Sequence, residues 1–208
     1  MRLSRLPVLA AIAAVSACGF GSTAPDGAAS RRPGASLDNG PSGTSPTFLE
    51  AAATAPTIAN PVVSFWARRG VDTTVTMLYT DGATFMRFRV RKKSLAFYPN
   101  GQPFAQGDSV LITATLIDPV NLVVDFQPAG LVFSAGDPAN LKLSYADTDP
   151  DWNNDGVVDQ VDSNLQRYFQ VWQQHDGLPW MPLVSKVSQG IHEVEASLGG
   201  FTHYAVAY

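Results

Sequence analysis

From Val62 onward, apolar and polar residues alternate in short runs: VVSFWAR, TTVTMLYT, ATFMRFRVR, SLAFYP, DSVLITATLID, NLVVDFQ, LKLSYAD, LQRYFQVWQQ, HEVEASL and FTHYAVAY. A period of two carried by β-branched and aromatic residues marks strands that turn one face to a core. The runs are separated by Asp81-Gly82, Pro99-Asn100-Gly101, Asp118-Pro119, Pro128 to Gly130, and Asp176-Gly177. Asp-Gly and Asn-Gly tolerate the positive φ angles of tight hairpin turns. No sustained 3.6-residue apolar period competes, so the pattern predicts an all-β fold, an antiparallel β-sandwich. In DSVLITATLID, Val110, Ile112, Ala114 and Leu116 form the face expected to meet the opposite sheet, while Leu111, Thr113, Thr115 and Ile117 form a mixed one. In the strip Met86 to Lys93, Met86, Phe88 and Val90 are expected inside and Arg87, Arg89 and Arg91 outside. That basic face reads as a solvated surface that discourages edge pairing, with an anionic surface or partner as the alternative.

Ahead of the strands the texture changes. Residues 19–59 are rich in Gly, Ser, Ala, Pro and Thr and hold few large apolar side chains. Such a segment buries too little surface to offset its conformational entropy, which predicts a flexible tether over 18–59 and a folded body over 60–208, with one helical turn at Phe48, Leu49 and the alanines after Glu50, as a brief docking segment, the lesser alternative. Residues 1–17, MRLSRLPVLAAIAAVSA, carry Arg2 and Arg5, an apolar run from Leu6 to Ala17, and small residues before Cys18. This is the layout of a secretory signal, and a run of twelve residues is short of the roughly 18–20 that cross a bilayer. Val15-Ser16-Ala17-Cys18 resembles the bacterial lipobox, which implies cleavage before Cys18 and its acylation. Cys18 is the only cysteine, so in an exported chain it is better explained as a lipid attachment point than as half of an internal disulfide. Gly19 after the cysteine implies, by the same resemblance, the outer membrane of the cell envelope.

Removing the signal takes away two of the fourteen basic residues and no acidic one, which moves the formal net charge from −4 to −6. Export and an acidic balance argue against a nucleic-acid partner.

Asn121 to Tyr145, NLVVDFQPAGLVFSAGDPANLKLSY, resembles the part of ZU5-like domains in which a strand leads into "P-x-G-L-x-F", a proline and a leucine-alternating strand. VWQQHDGLPWMPL, Val171 to Leu183, resembles their hairpin, and Gly200 to Ala207 resembles their closing strand. The resemblance implies a sandwich used for protein binding or scaffolding, without enzymatic activity in most members. A few relatives cleave themselves at His-Phe-Ser. Here Gly200-Phe201-Thr202 lacks the histidine and His203 falls on the wrong side of Thr202, so no catalytic residue is expected.

The stretch with the clearest chemistry is DWNNDGVVDQVD, Asp151 to Asp162, within an acidic insertion over 147–163. Asp151, Asn153, Asp155, the Val157 carbonyl, Asp159 and Asp162 occupy the six ligand positions of an EF-hand or dockerin-like calcium loop, with Gly156 at the sharp bend. An all-oxygen set suits calcium and not zinc or copper. Val158, at position eight, is expected to tie the loop to the fold. Trp152 at position two, Asp162 in place of glutamate and Ser163 after it depart from the pattern. Affinity is expected at the weak extracellular end, roughly 10⁻⁴ to 10⁻³ M. The competing reading is a solvated acidic turn without metal. DSNLQRYFQVWQ reads either as a helix, as in dockerins, or as a strand from about Leu165, and the sandwich favours the strand.

His175, His192 and His203 fall on different predicted strands with no zinc spacing. Trp152, Trp172 and Trp180 lie near one another in sequence, and exposed tryptophans stack on sugars, so a carbohydrate-binding module at the cell surface is the second class of function.

Overall fold

The computed structural model describes residues 45–208. The expected signal sequence, Cys18, Gly19 and the expected tether as far as residue 44 lie outside the described residues. Thirteen strands run in chain order: β1 (Val62–Arg68), β2 (Thr73–Leu78), β3 (Thr84–Val90), β4 (Leu95–Phe97), β5 (Ser109–Asp118), β6 (Val123–Gln127), β7 (Val132–Phe133), β8 (Ala139–Ser144), β9 (Gln170–Gln174), β10 (Met181–Pro182), β11 (Ser185–Ser188), β12 (Glu193–Leu198) and β13 (His203–Ala207). One sheet has the order β1-β5-β6-β13-β9-β10 and the other β11-β12-β8-β3-β2, with β4 and β7 forming a small pair beside them. All pairings are antiparallel. The protein is an antiparallel β-sandwich.

Alternation in the sequence becomes the two faces of each strand. On β3, Met86, Phe88 and Val90 are fully buried, and on β8 Ala139, Leu141 and Leu143 join them. The opposite sheet contributes Ile112 and Ala114 from β5 and Val124 and Phe126 from β6. Phe88 stands at the centre, its ring 4.8 Å from that of Phe126 and 5.7 Å from that of Phe201. Outside, Arg89 meets Asp72 at 2.6 Å, Arg91 meets Asp137 at 3.3 Å, and Lys142 bridges Glu193 and Glu195 at 3.2 and 3.3 Å. The basic strip of β3 is therefore part of a solvated ion-pair face, where each pair contributes little to stability.

Two short strands escape sequence reading, while β10 is the second arm of the hairpin expected over Val171 to Leu183. β7 has two residues, too few for a period, and β11 is Ser-Lys-Val-Ser.

Two expectations are corrected. Residues 45–59 are not tether but part of the body. Thr47 and Tyr208 exchange backbone hydrogen bonds of 3.1 Å in both directions, Leu49 N–H donates to the Val206 carbonyl at 3.1 Å, and Ala51 and Ala52 N–H donate to Val120 and Asp147. β6 pairs with β13 only at His203 and Tyr204, so the far half of β13 offers an open edge that this segment fills. Composition averaged over 41 residues hides the fact that a single leucine, Leu49, is enough to seat it; that side chain is 2% exposed. The second correction concerns Leu165, which does not begin a strand. Residues Gln160–Leu165 form helix α1, a 3-10 turn follows over Gln166–Tyr168, and the strand starts at Gln170. Asp159 caps the helix and Asp162 completes a reciprocal capping box, a local signal that outweighs the strand preference of the residues after it.

Candidate metal centre

The acidic loop joins β8 to α1. Its bends are set by Asn154 and Gly156, with φ of +56° and +87°, in the left-handed region that glycine enters without a Cβ penalty. Its oxygens are turned onto its own backbone. Asp151 accepts the N–H groups of Asp155 at 3.1 Å and Gly156 at 2.7 Å through its two carboxylate oxygens. Asn153 Oδ1 accepts the Asp155 N–H at 3.0 Å while its Nδ2 donates to Asp155 Oδ2 at 2.8 Å, and Asp155 Oδ1 accepts the Val157 N–H at 2.9 Å. Positions one, three and five are thus held in one hydrogen-bonded ring.

Positions nine and twelve join the same network. Asp159 Oδ1 accepts the Val161 N–H at 2.6 Å, and such a cap contributes about 1 kcal/mol. Asp162 Oδ2 accepts the Asp159 N–H at 2.9 Å and Oδ1 reaches back to the Asn153 N–H at 3.1 Å. This carboxylate is buried, and those backbone donors, that of Asp159 first, hold its pKa below the ordinary aspartate range against the opposing effect of burial. Asp162 therefore clips the start of the helix to the third residue of the loop, a link that neither residue type nor spacing made visible.

Attachment to the body differs from expectation. Val158 is 62% exposed and ties nothing down. Trp152, which breaks the calcium-loop pattern, is the anchor instead: its ring stands edge-on to Phe169 at 5.0 Å and Tyr145 at 6.1 Å, and its Nε1 donates to Thr148 Oγ1 at 3.2 Å. The Tyr208 hydroxyl donates to the Trp152 carbonyl. A large ring at position two was the available sequence signal.

Among the described residues, no group of three or more His, Cys, Asp or Glu side chains forms a set that could hold a metal ion. The donors that a hard cation would use are nevertheless all oxygens, confined to twelve residues, and an ionised carboxylate that accepts one or two N–H groups keeps further lone pairs free. Asp151, Asn153 and Asp155 would supply the first three ligands, Val157 its carbonyl, and Asp159 its second oxygen. Asp151, Asp155 and Asp162 each already use both oxygens once, so a cation would take their remaining lone pairs.

The other sequence candidates are separated. His203 Nε2 lies 3.3 Å from Asp125 and 3.9 Å from Asp176 on the outer face of the larger sheet, His192 stands edge-on to Tyr145, and His175 is in the turn after β9. The Thr202 hydroxyl donates to the Gln174 carbonyl. Trp172 is 7% exposed, Trp180 packs edge-on to Phe48 at 5.0 Å, and the exposed tryptophan is Trp66 on β1, at 66%. An open groove lined in part by Arg167, Tyr168, Gln170, Ser185 and Gln189 lies beyond the 3-10 turn; short strands and isolated polar residues left no signal for it.

Compared with known proteins, the chain matches no family model, no curated protein and no solved structure.

Proposed function

We propose that this chain is an exported, lipid-anchored protein of the bacterial envelope whose β-sandwich is a non-catalytic module for protein binding or scaffolding, stabilised by calcium in the loop Asp151 to Asp162. The observation that carries the proposal is the single network joining Asp151, Asn153, Asp155, Asp159 and Asp162, clipped by Asp162 and anchored through Trp152. Four carboxylates confined to this loop repel one another, and a divalent cation relieves that repulsion. Because Trp152 packs on Tyr145 after β8 and Phe169 before β9, ion binding would be felt as firmer packing between those strands. The calcium is structural here and supplies charge neutralisation only. The three segments that resemble ZU5-like domains lie along β6 to β8, β9 to β10 and β13, which supports a sandwich-type binding module.

Calorimetry with calcium chloride tests the loop. The expected result is a measurable heat with a dissociation constant near 10⁻⁴ to 10⁻³ M, and at tenfold excess over that constant about 1.4 kcal/mol of added stability, read as a higher melting temperature. Asp151→Asn should weaken both. Absence of heat together with an unchanged melting temperature at millimolar calcium would rule the loop out as a calcium site. The anchor is tested by fractionation: Cys18→Ser is expected to move the protein from the membrane to the soluble fraction, because acyl chains are then lost. Retention of the variant in the membrane fraction would place the anchor elsewhere.

A further inference from the structure

Four strands end the two sheets, and they are not treated alike. β10 has two residues, one of them Pro182, and β11 has four with Lys186 among them. β2 carries a register shift between Met77 and Leu78 and is overlaid at that end by residues 57–59, through Ala59 N–H to the Leu78 carbonyl at 2.9 Å and Thr80 N–H to the Thr57 carbonyl at 2.8 Å. Short length, proline, lysine, bulges and cover are the usual means of blocking an exposed edge. β1 has none of them between Val62 and Ala67: seven residues long, it is uncharged until Arg68, and no described residue pairs with its outer side. Even Arg68 is folded back, with Nε donating to the Gly107 carbonyl at 3.0 Å.

The register decides what this edge presents. Leu116 N–H donates to the Pro61 carbonyl and Arg69 N–H to the Asp108 carbonyl, both at 2.8 Å. Pairing with β5 therefore uses the backbone groups of Val63, Phe65 and Ala67, and those of Val62, Ser64 and Trp66 point outward. The side chains of these same outward residues lie on the outer face of the sheet, where Val62 is 54% and Trp66 66% exposed. Trp66 sits directly opposite Leu111, itself 45% exposed, and the Ser64 and Thr113 hydroxyls share a hydrogen bond of 2.8 Å. The edge thus combines a neutral, largely apolar stripe with a row of donors and acceptors that no described residue pairs.

We propose that β1 is a dimerisation edge whose occupant is β1 of a second copy of this chain, added antiparallel about a two-fold axis through Ser64. In that register Ser64 faces the partner's Ser64 and Val62 faces the partner's Trp66, and each such pair exchanges two backbone hydrogen bonds. Donors and acceptors on alternate residues complement themselves in this arrangement, and the large apolar side chains meet across the axis. The neutral stripe matters because the whole chain carries a formal charge of −4: it brings two like-charged molecules together where neither presents a charge. The two six-stranded sheets become one continuous sheet.

Sedimentation analysis of the full chain carrying Cys18→Ser tests this, since that background has no thiol and excludes disulfide-linked pairs. Mass is expected to rise with concentration from the 22.2 kDa monomer to twice that value. Ser64→Pro removes an N–H that points away from β5, a position where an edge strand tolerates proline, and Trp66→Lys places like charges near the axis. Each is expected to raise the dissociation constant at least tenfold with a circular dichroism spectrum unchanged. Ser64→Cys in the same background is expected to form an intermolecular disulfide on mild oxidation, because the facing Cα atoms are about 5.5 Å apart, within disulfide reach. A monomer at every concentration, a dimer unmoved by Ser64→Pro and Trp66→Lys, or a dimer that Ser64→Cys does not cross-link would each overturn the proposal.

Discussion

A chain that begins at residue 60 is expected to lose most of its stability relative to one that begins at Ser45, although both contain every strand from β1 to β13. Residues 47–49 lie against β13 as a further short strand, closing the edge left open where β6 ends. Their loss exposes the pocket that holds Leu49, and burying a side chain of that size contributes about 2–3 kcal/mol. It also strips donors from the carbonyls of Val206, Val120 and Asp147, and removes the edge-on contact of Phe48 with Trp180. Val206 is buried, and a buried carbonyl left unpaired costs more than an ordinary hydrogen bond returns, whereas Val120 is exposed and water replaces its lost donor. A domain of this size has a net stability of about 5–15 kcal/mol, so these losses together are a large fraction of it. Urea melts of the two chains measure the difference. Coincident transitions would mean that the segment only lies on the surface and that the body starts at residue 60 after all.

Phe88→Ala is expected to destabilise the fold by about 3–5 kcal/mol, the range for removing a buried aromatic side chain and leaving a cavity. Phe88 is fully buried on β3, and its ring lies 6.2 Å from that of Phe65 on β1, 4.8 Å from Phe126 on β6, 6.2 Å from Phe133 on β7 and 5.7 Å from Phe201 before β13. No neighbour can collapse into the space without leaving its own partners, since Phe126 and Phe201 also stack on each other and Phe126 meets Tyr204. Arg87→Ala, one residue away on the outward face opposite Lys142, is expected to change stability by less than about 0.5 kcal/mol. Shifts of the denaturation midpoint measure both. Equal effects at positions 87 and 88 would show that the strand does not divide its faces as described.

The contrast between those neighbours was readable from the residues alone. MRFRVR alternates without interruption, and a strand has no way to bury Phe88 other than by exposing Arg87 and Arg89. The same holds for Ile112 and Ala114 on β5, and for the turns at Gly82, Gly101 and Gly177, all of which have positive φ. The acidic loop is the intermediate case. The register of its oxygen-bearing residues and the bend at Gly156 followed from spacing, but the residue that fastens it did not. Val158 was the expected tie because the local pattern places an apolar residue there. Trp152 took the role because Tyr145, just before the loop, Phe169, just after it, and Tyr208, from the far end of the chain, converge on it.

Local chemistry thus determined which segments become strands, which side of each strand faces inward, where the chain turns, and which twelve residues gather oxygens. These properties depend on neighbours one to five positions away, and the sequence records such neighbours directly. Tertiary structure decided that Leu49 is buried in the core and that no described residue pairs with the outer side of β1. Both depend on which strands pair and how far each pairing runs, and that is settled only when segments far apart in the chain compete for the same hydrogen bonds and the same buried space.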